Sequence, residues 1–319
     1  MIFTFLFSVC IANEFDTCIW IQAESMQSKE SIQEALLFAY ENDFKKIFFQ
    51  SRFRGDAYYK SEIVPRSSLI KEDFDPLQYS IELAHSLGLE LHVWVNVYII
   101  WSSSSLPDSN NHLYYTHPDW MESNVNGKSD LDVNINTPQS TNWEGIYLSP
   151  NHPKVNQYLA DVFYEIIDNY DIDGLHFDYI RFQDDVYGYN KTGRQIFEEK
   201  YNFDPLDIDR KIISTKYGWL NTEIDSMKKV WKTYKQNNIN SLLIKMRDLV
   251  EASNSRIKLS AAVKSNPILA KEKWSQDWAF WLEEELLDFV VVMNYDPNII
   301  NFNNAIEIIK EEVDKTRFN

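Results

Sequence analysis

Apolar residues recur along this chain in two rhythms that alternate with each other. Short stretches with period-two or continuous apolar patterning, at Thr17–Glu24, Lys46–Arg52, Glu90–Tyr98, Ile172–Arg181, Ile257–Lys264 and Asp288–Tyr295, predict strands. Segments with helical spacing, at about 29–43, 75–87, 153–169, 235–253, 276–286 and 302–315, fall between them. Strand then helix, repeated, is the order of a parallel sheet covered by helices. Alternate residues of a strand point to opposite faces, so each strand can be split into its two sides. In the third strand Leu91, Val93, Val95 and Val97 form an aliphatic side, and His92, Trp94, Asn96 and Tyr98 a polar-aromatic one. The split recurs as Ile19 and Ile21 against Trp20, Gln22 and Glu24, as Phe49 and Ser51 against Gln50 and Arg52, and as Leu175 and Phe177 against His176 and Asp178.

An aliphatic side for helices and a polar-aromatic side for a lined interior predict a parallel (β/α) TIM-type barrel; a doubly wound sheet would be aliphatic on both faces. About six βα units are legible, fewer than the eight of a complete barrel, and truncation of the last two is the expected cause. Long excursions at 99–149 and 183–234 interrupt the rhythm, and the second reads as polar loop followed by helix. No Gly- or Ser-rich linker divides the chain, so residues 13–319 are expected to form one barrel domain, C-terminally incomplete. Residues 1–12 resemble the remnant of a short signal peptide without its basic segment, which points to a secreted or cell-envelope protein; no other stretch reads as an integral membrane segment.

Charge narrows the partners. With 48 acidic and 31 basic side chains, the net charge of −17 repels polyphosphate, so nucleic acid is not an expected partner. The only cysteines, Cys10 and Cys18, and the six histidines show no metal-ligand spacing. Neither a metal nor a cofactor is therefore expected, and a metal-dependent polysaccharide deacetylase is disfavoured. Sequence leaves the oligomeric state open.

The chemistry concentrates in Asp173-Gly174-Leu175-His176-Phe177-Asp178-Tyr179-Ile180-Arg181-Phe182. Asp178 falls near the carboxyl end of the fourth strand, where barrels of this kind build their active sites, and is the first candidate for a catalytic carboxyl group. Glycosidic hydrolysis needs a second one. Asp296, Glu24 and Asp56 are the candidates, in that order. Arg52, Arg54, Asp56, Trp94, Asn96, His176, Arg181 and Tyr295 are the candidates for contact with substrate, the arginines through bidentate hydrogen bonds and Trp94 through stacking. Asp173 reads as a structural acid that satisfies nearby backbone donors.

The motifs resemble those of the glycosyl-hydrolase-like family ten, a group of bacterial glycoside hydrolases, over most of the chain from about Trp20 to Asp296. The resemblance is carried by Arg52-Phe53-Arg54-Gly55-Asp56-Ala57-Tyr58-Tyr59, Leu89-Glu90-Leu91-His92-Val93-Trp94-Val95-Asn96, Tyr147-Leu148-Ser149-Pro150 and the stretch around Asp178. It implies a glycosidase acting on an oligo- or polysaccharide, a bacterial cell-wall-type or related β-linked glycan. The strand end Met293-Asn294-Tyr295-Asp296 is closer to chitinase-type hydrolases, but those place a glutamate two residues beyond the aspartate matching Asp178, where this chain has Ile180. A carbohydrate-binding protein without turnover is the alternative reading.

Overall fold

The computed structural model describes residues 17–135, 143–253 and 256–317; the signal-peptide expectation for residues 1–12 lies outside them. Six strands form the parallel sheet: β1 (Cys18–Ile21), β2 (Lys46–Phe53), β3 (Glu90–Asn96), β4 (Gly174–Asp178), β5 (Lys258–Lys264) and β6 (Phe289–Met293). Each pairs in parallel with the next in sequence, so spatial order follows chain order. The main helices are α1 (Lys29–Glu41), α2 (Pro76–Ser86), α3 (Val155–Asn169), α4 (Lys191–Tyr201), α5 (Asn221–Ala252), α6 (Pro267–Trp274), α7 (Trp278–Glu283) and α8 (Ile299–Arg317).

The helices form where sequence gives them a cap and an apolar stripe. In α1 the Ser28 hydroxyl accepts from the Ser31 backbone N–H, and Ile32, Leu36 and Ala39 bury one face. Asp75 caps α2 in the same way, with Pro76 at the first position, where a missing N–H does no harm. Each fully buried leucine or isoleucine in these stripes contributes about 1.5–3 kcal/mol.

The sheet is curled into a half-barrel. Strands β2 and β6 share no ladder, yet the rings of Phe48 and Phe289 lie 6.4 Å apart across the interior. Phe48 also packs on His176 at 4.2 Å and on His92 at 5.5 Å, so one side of the sheet lines a lumen. On the other side Phe177 packs against Phe163 of α3. The aliphatic and polar-aromatic sides are thus divided as the alternation predicts.

That division fails at two places. In β2, Gln50 pairs with Trp94 but Arg52 pairs with Val95, so Ser51 is an extra residue, a β-bulge. A strand has period two, and one inserted residue turns everything after it to the opposite face. Arg52, expected in the interior, therefore lies on the helix side, where its guanidinium is buried, donates to the carbonyls of Asn96 and Val97, and sits beside Tyr59 and Tyr158. Similarly β3 ends at Asn96, and Tyr98 points to α3, donating to Asn156 at 2.8 Å.

Two helices, α4 and α6, lie outside the expected helical segments, and a third, α5, begins early. The helix expected from residue 235 begins at Asn221, and the segment 267–274, not expected to be helical, forms α6. The first extension is held by contacts no local pattern shows: Trp231 stacks on Tyr234 and meets Phe197 edge-on, in a small aromatic core of the second excursion that also buries Tyr189, Phe203, Leu206 and Ile213.

Gly174 opens β4 opposite His92, and a Cβ there would lie 2.0 Å from His92 Nδ1. His92 is wedged between Phe48 and Phe289 and has no room to yield. Gly174→Ala is expected to destabilise the fold by about 1–3 kcal/mol, the usual cost of overpacking. Urea denaturation measures this, and an unchanged midpoint would show that the His92 ring shifts freely.

Candidate active site

The carboxyl ends of β1, β3, β4, β5 and β6 surround a cavity of about 620 Å³, whose walls include Trp20, Trp94, Glu144, Asp178, Arg181 and Lys264. Asp178 is the last residue of β4. The chain then turns sharply: Tyr179 takes φ +54°, a conformation that side-chain-bearing residues adopt at some cost. This turn brings the Tyr179 N–H onto Asp178 Oδ1 at 2.8 Å, while Trp94 Nε1 donates to Oδ2 at 3.2 Å. Burial nevertheless pushes the Asp178 carboxyl above its ordinary range, against the opposing pull of the Tyr179 N–H, Arg181 and Trp94.

Glu144 is the second carboxyl group of the cavity. Its Oε2 lies 2.6 Å from Arg181 Nη2 and accepts the Tyr147 hydroxyl, also at 2.6 Å. Burial raises this group too, but Arg181 and the Tyr147 hydroxyl outweigh it and hold Glu144 below the ordinary glutamate range. Two carboxyl groups in one cavity thus shift in opposite directions, Asp178 upward and Glu144 downward. Lys264, at the end of β5, faces both; burial and neighbouring Arg181 lower its pKa.

The other residues singled out from sequence are scattered. His176 is buried in the lumen, accepting from Trp20 Nε1 at 3.4 Å and bonding Ser260 Oγ through Nδ1 at 2.9 Å; burial lowers it to about 3, so it is a neutral floor residue. Asn96 is buried and accepts from Gln50 Nε2 at 3.3 Å. Tyr295 stands on the rim of the cavity, 81% exposed. Asp296 accepts from the Asn298 N–H at 2.9 Å and the Asn301 side chain at 3.1 Å, which ties it to the start of α8. Glu24 is exposed on a short 3-10 turn after β1 and does not line the cavity. Arg54 and Asp56 line a separate, smaller cleft.

Glu144 and Lys264 went unnoticed in the sequence. Lys264 continues the interior series Ser260 and Ala262 to the mouth, so strict alternation along β5 would have found it. Glu144 lies in the first excursion, three residues before Tyr147, and no periodicity marks it. It reaches the mouth because Ile146–Tyr147 pairs antiparallel with Ile99–Trp101, folding the excursion back over the sheet.

That excursion is anchored by buried acids. Asp130 accepts from Trp143 Nε1 at 3.0 Å and from the Tyr147 N–H at 3.1 Å. Glu122, 1% exposed, accepts the Ser123 N–H, and burial pushes its pKa up to about 7. A carboxyl group raised in the folded state contributes stability that is present below its unfolded pKa and is lost as pH rises through the folded value. Relative to Glu122→Gln, the wild-type chain is therefore expected to lose on the order of 3 kcal/mol between about pH 4.5 and about pH 8. Paired denaturation curves at the two pH values test this, and parallel pH dependences would show that Glu122 ionises as readily folded as unfolded.

A curled parallel sheet with paired carboxyl groups at its carboxyl-terminal mouth has the architecture of glycoside-hydrolase TIM barrels. The structure resembles the PgaB (BpsB) glycoside hydrolase domain from Bordetella bronchiseptica with a TM-score of 0.65 at 14% identity, covering 95% of this chain and 81% of that one. The chain belongs to the Glycosyl hydrolase-like 10 family, whose model matches residues 6–318. Among curated relatives, it is 26% identical over 148 residues to glycosyl hydrolase DigH of Escherichia coli K12, covering 41% of this chain and 30% of that protein. It is 23% identical over 252 residues to glycosyl hydrolase YngK of Bacillus subtilis, covering 75% and 41%. The chain thus spans less than half the length of these relatives. Among the described residues no helix is long and apolar enough to cross a membrane.

Proposed function

We propose that the chain hydrolyses glycosidic bonds of a polysaccharide, a bacterial cell-wall-type or related β-linked glycan, with Asp178 and Glu144 as its two working carboxyl groups. The observation that carries this reading is the presence of two carboxyl groups at the mouth of one cavity, with pKa values shifted in opposite directions. Asp178, whose protonated form burial favours, gives its proton to the leaving oxygen. Glu144, kept ionised by Arg181 and the Tyr147 hydroxyl, acts on the anomeric side, directly or through a water. Trp94 and Trp20 offer ring faces for a sugar, and Lys264 a donor for its substituents. Arg181 is a positioning residue, since it acts through Glu144.

The glycoside hydrolase names of the relatives support this class, and an S-layer-related protein of Niallia circulans, 21% identical over 196 residues, supports a place outside the cell or in its envelope. The test is release of reducing ends from isolated bacterial cell-wall glycan strands, with an α-linked glucan as the contrast. Release from the β-linked strands alone is the expected result. Retention of the strands without any release would identify a binding protein and end the hydrolytic reading.

A further inference from the structure

The Arg52–Tyr59 motif is the strongest sequence signal that the catalytic cavity does not absorb. After the bulge, β2 turns back on itself: Arg52 and Phe53 pair antiparallel with Ala57 and Asp56. The two turn residues, Arg54 and Gly55, have φ +54° and +77°, as a tight two-residue hairpin demands. Glycine suits this, and arginine does not; an asparagine or aspartate is the usual first residue. The turn is nevertheless clamped in place. His112 Nδ1 accepts the Tyr114 N–H at 3.0 Å, which leaves the ring proton on Nε2 to be donated to the Arg54 carbonyl at 2.8 Å. Gly55 leaves room for that ring, since a Cβ would lie 2.4 Å from His112 Nε2.

The clamped hairpin forms one wall of a cleft of about 110 Å³, and the opposite wall comes from the start of the first excursion. The lining combines the rings of Trp101 and Phe53, the hydroxyls of Ser103 and Ser105, and the carboxyl groups of Asp56 and Asp108. Trp101 is fixed by its Nε1, which donates to the Ser105 carbonyl at 2.8 Å. Asp108 is engaged by the Ser68 hydroxyl at 2.6 Å. Asp56 is not: half-buried, it accepts no hydrogen bond from any described residue, and burial and Asp108 together raise it to about 7 against the pull of Arg52. A half-desolvated carboxyl group without a donor, held on a strained and pinned turn, lacks a partner that a ligand can supply.

We propose that this cleft is a second, non-catalytic saccharide subsite, in which Asp56 accepts hydroxyl groups from the edge of one sugar ring. The proposal rests on the hydrolase reading for its ligand class, a neutral β-linked sugar. The cleft admits little more than the edge of one ring, and the excursion that supplies its far wall also carries Glu144 to the catalytic cavity, so a longer glycan is the ligand that uses both.

The test titrates the Asp178→Asn protein with N-acetylglucosamine oligomers of increasing length and follows two indole N–H resonances by NMR. Trp101 reports on the cleft and Trp94, bonded to residue 178, on the catalytic cavity. Both are expected to shift with long oligomers, and at about pH 8.5, where Asp56 is ionised, Asp56→Asn in the same background should weaken the affinity read at Trp101 about tenfold, the loss of one charge-assisted hydrogen bond. A shift at Trp94 with Trp101 silent overturns the subsite and leaves the hydrolase reading standing. A shift at Trp101 with Trp94 silent keeps the subsite and removes the hydrolase reading. Silence at both removes the two together, and an unchanged Trp101 affinity in Asp56→Asn also overturns the subsite.

Discussion

Asp178→Asn is expected to lower the turnover of a β-linked polysaccharide by roughly 10²–10⁴, the share a general acid contributes, while an aryl glycoside with a strongly acidic phenol keeps most of its rate because that leaving group needs no proton. The substitution removes the ionisable group and keeps the shape. Since burial disfavours the charged carboxylate that asparagine removes, stability is expected to stay within about 1 kcal/mol. The decisive comparison is between the two substrates on protein of matched melting temperature. Equal loss on both would make Asp178 the ionised partner instead of the acid. A fall in melting temperature with full activity per folded molecule would make it a structural acid.

Glu144→Gln is expected to behave differently, losing a similar roughly 10²–10⁴ on both substrates, because no leaving group replaces an absent base or nucleophile. The wild-type rate should follow a bell in pH. Its acid limb reports Glu144, displaced below the ordinary glutamate range, and its basic limb reports Asp178, displaced above the ordinary aspartate range. Arg181→Met removes the cation that holds Glu144 down, so the acid limb should move to higher pH. Breaking a buried pair costs about 3–5 kcal/mol, but the Glu144 side chain is 35% exposed, which reduces the expected cost to about 1–3 kcal/mol. The linkage has the opposite sign to that of Glu122. The stability contributed by a depressed Glu144 is present above its unfolded pKa and is lost as pH falls through the folded value. An acid limb that stays in place in Arg181→Met would assign that limb to another group.

The sheet, the helices and the first carboxyl group were legible in the sequence because each depends on local periodicity. Asp178 could be placed at a strand end by counting, and Asp173 proved to satisfy a backbone donor, the Leu91 N–H at 2.7 Å. Glu144 could not be found that way. Its position depends on one hairpin pairing between Ile99–Trp101 and Ile146–Tyr147, a long-range contact with no periodic trace. Asp296 shows the converse difficulty: a carboxyl group just after a strand is also just before a helix, and the cap role gives both its oxygens partners. The early start of α5 was hidden for the same reason as Glu144, since its aromatic partners lie on α4 and in the loops after it.

The extra residue at Ser51 acts as a phase inverter. Before it, the even-numbered side chains Phe48 and Gln50 face the lumen, and after it the parity reverses, so that the even-numbered Arg52 faces the helices. Beyond the bulge the strand leaves the lumen behind, and its last residue, Phe53, lines the smaller cleft together with the returning Asp56. Deleting Ser51 would place Arg52 directly after Gln50 in regular alternation, still opposite Val95 on the helix side, so the bulge takes up an additional residue without moving the arginine. Substitutions at Phe48 and Gln50, before the bulge, should therefore reach the lumen, and those after it the helix side and the cleft.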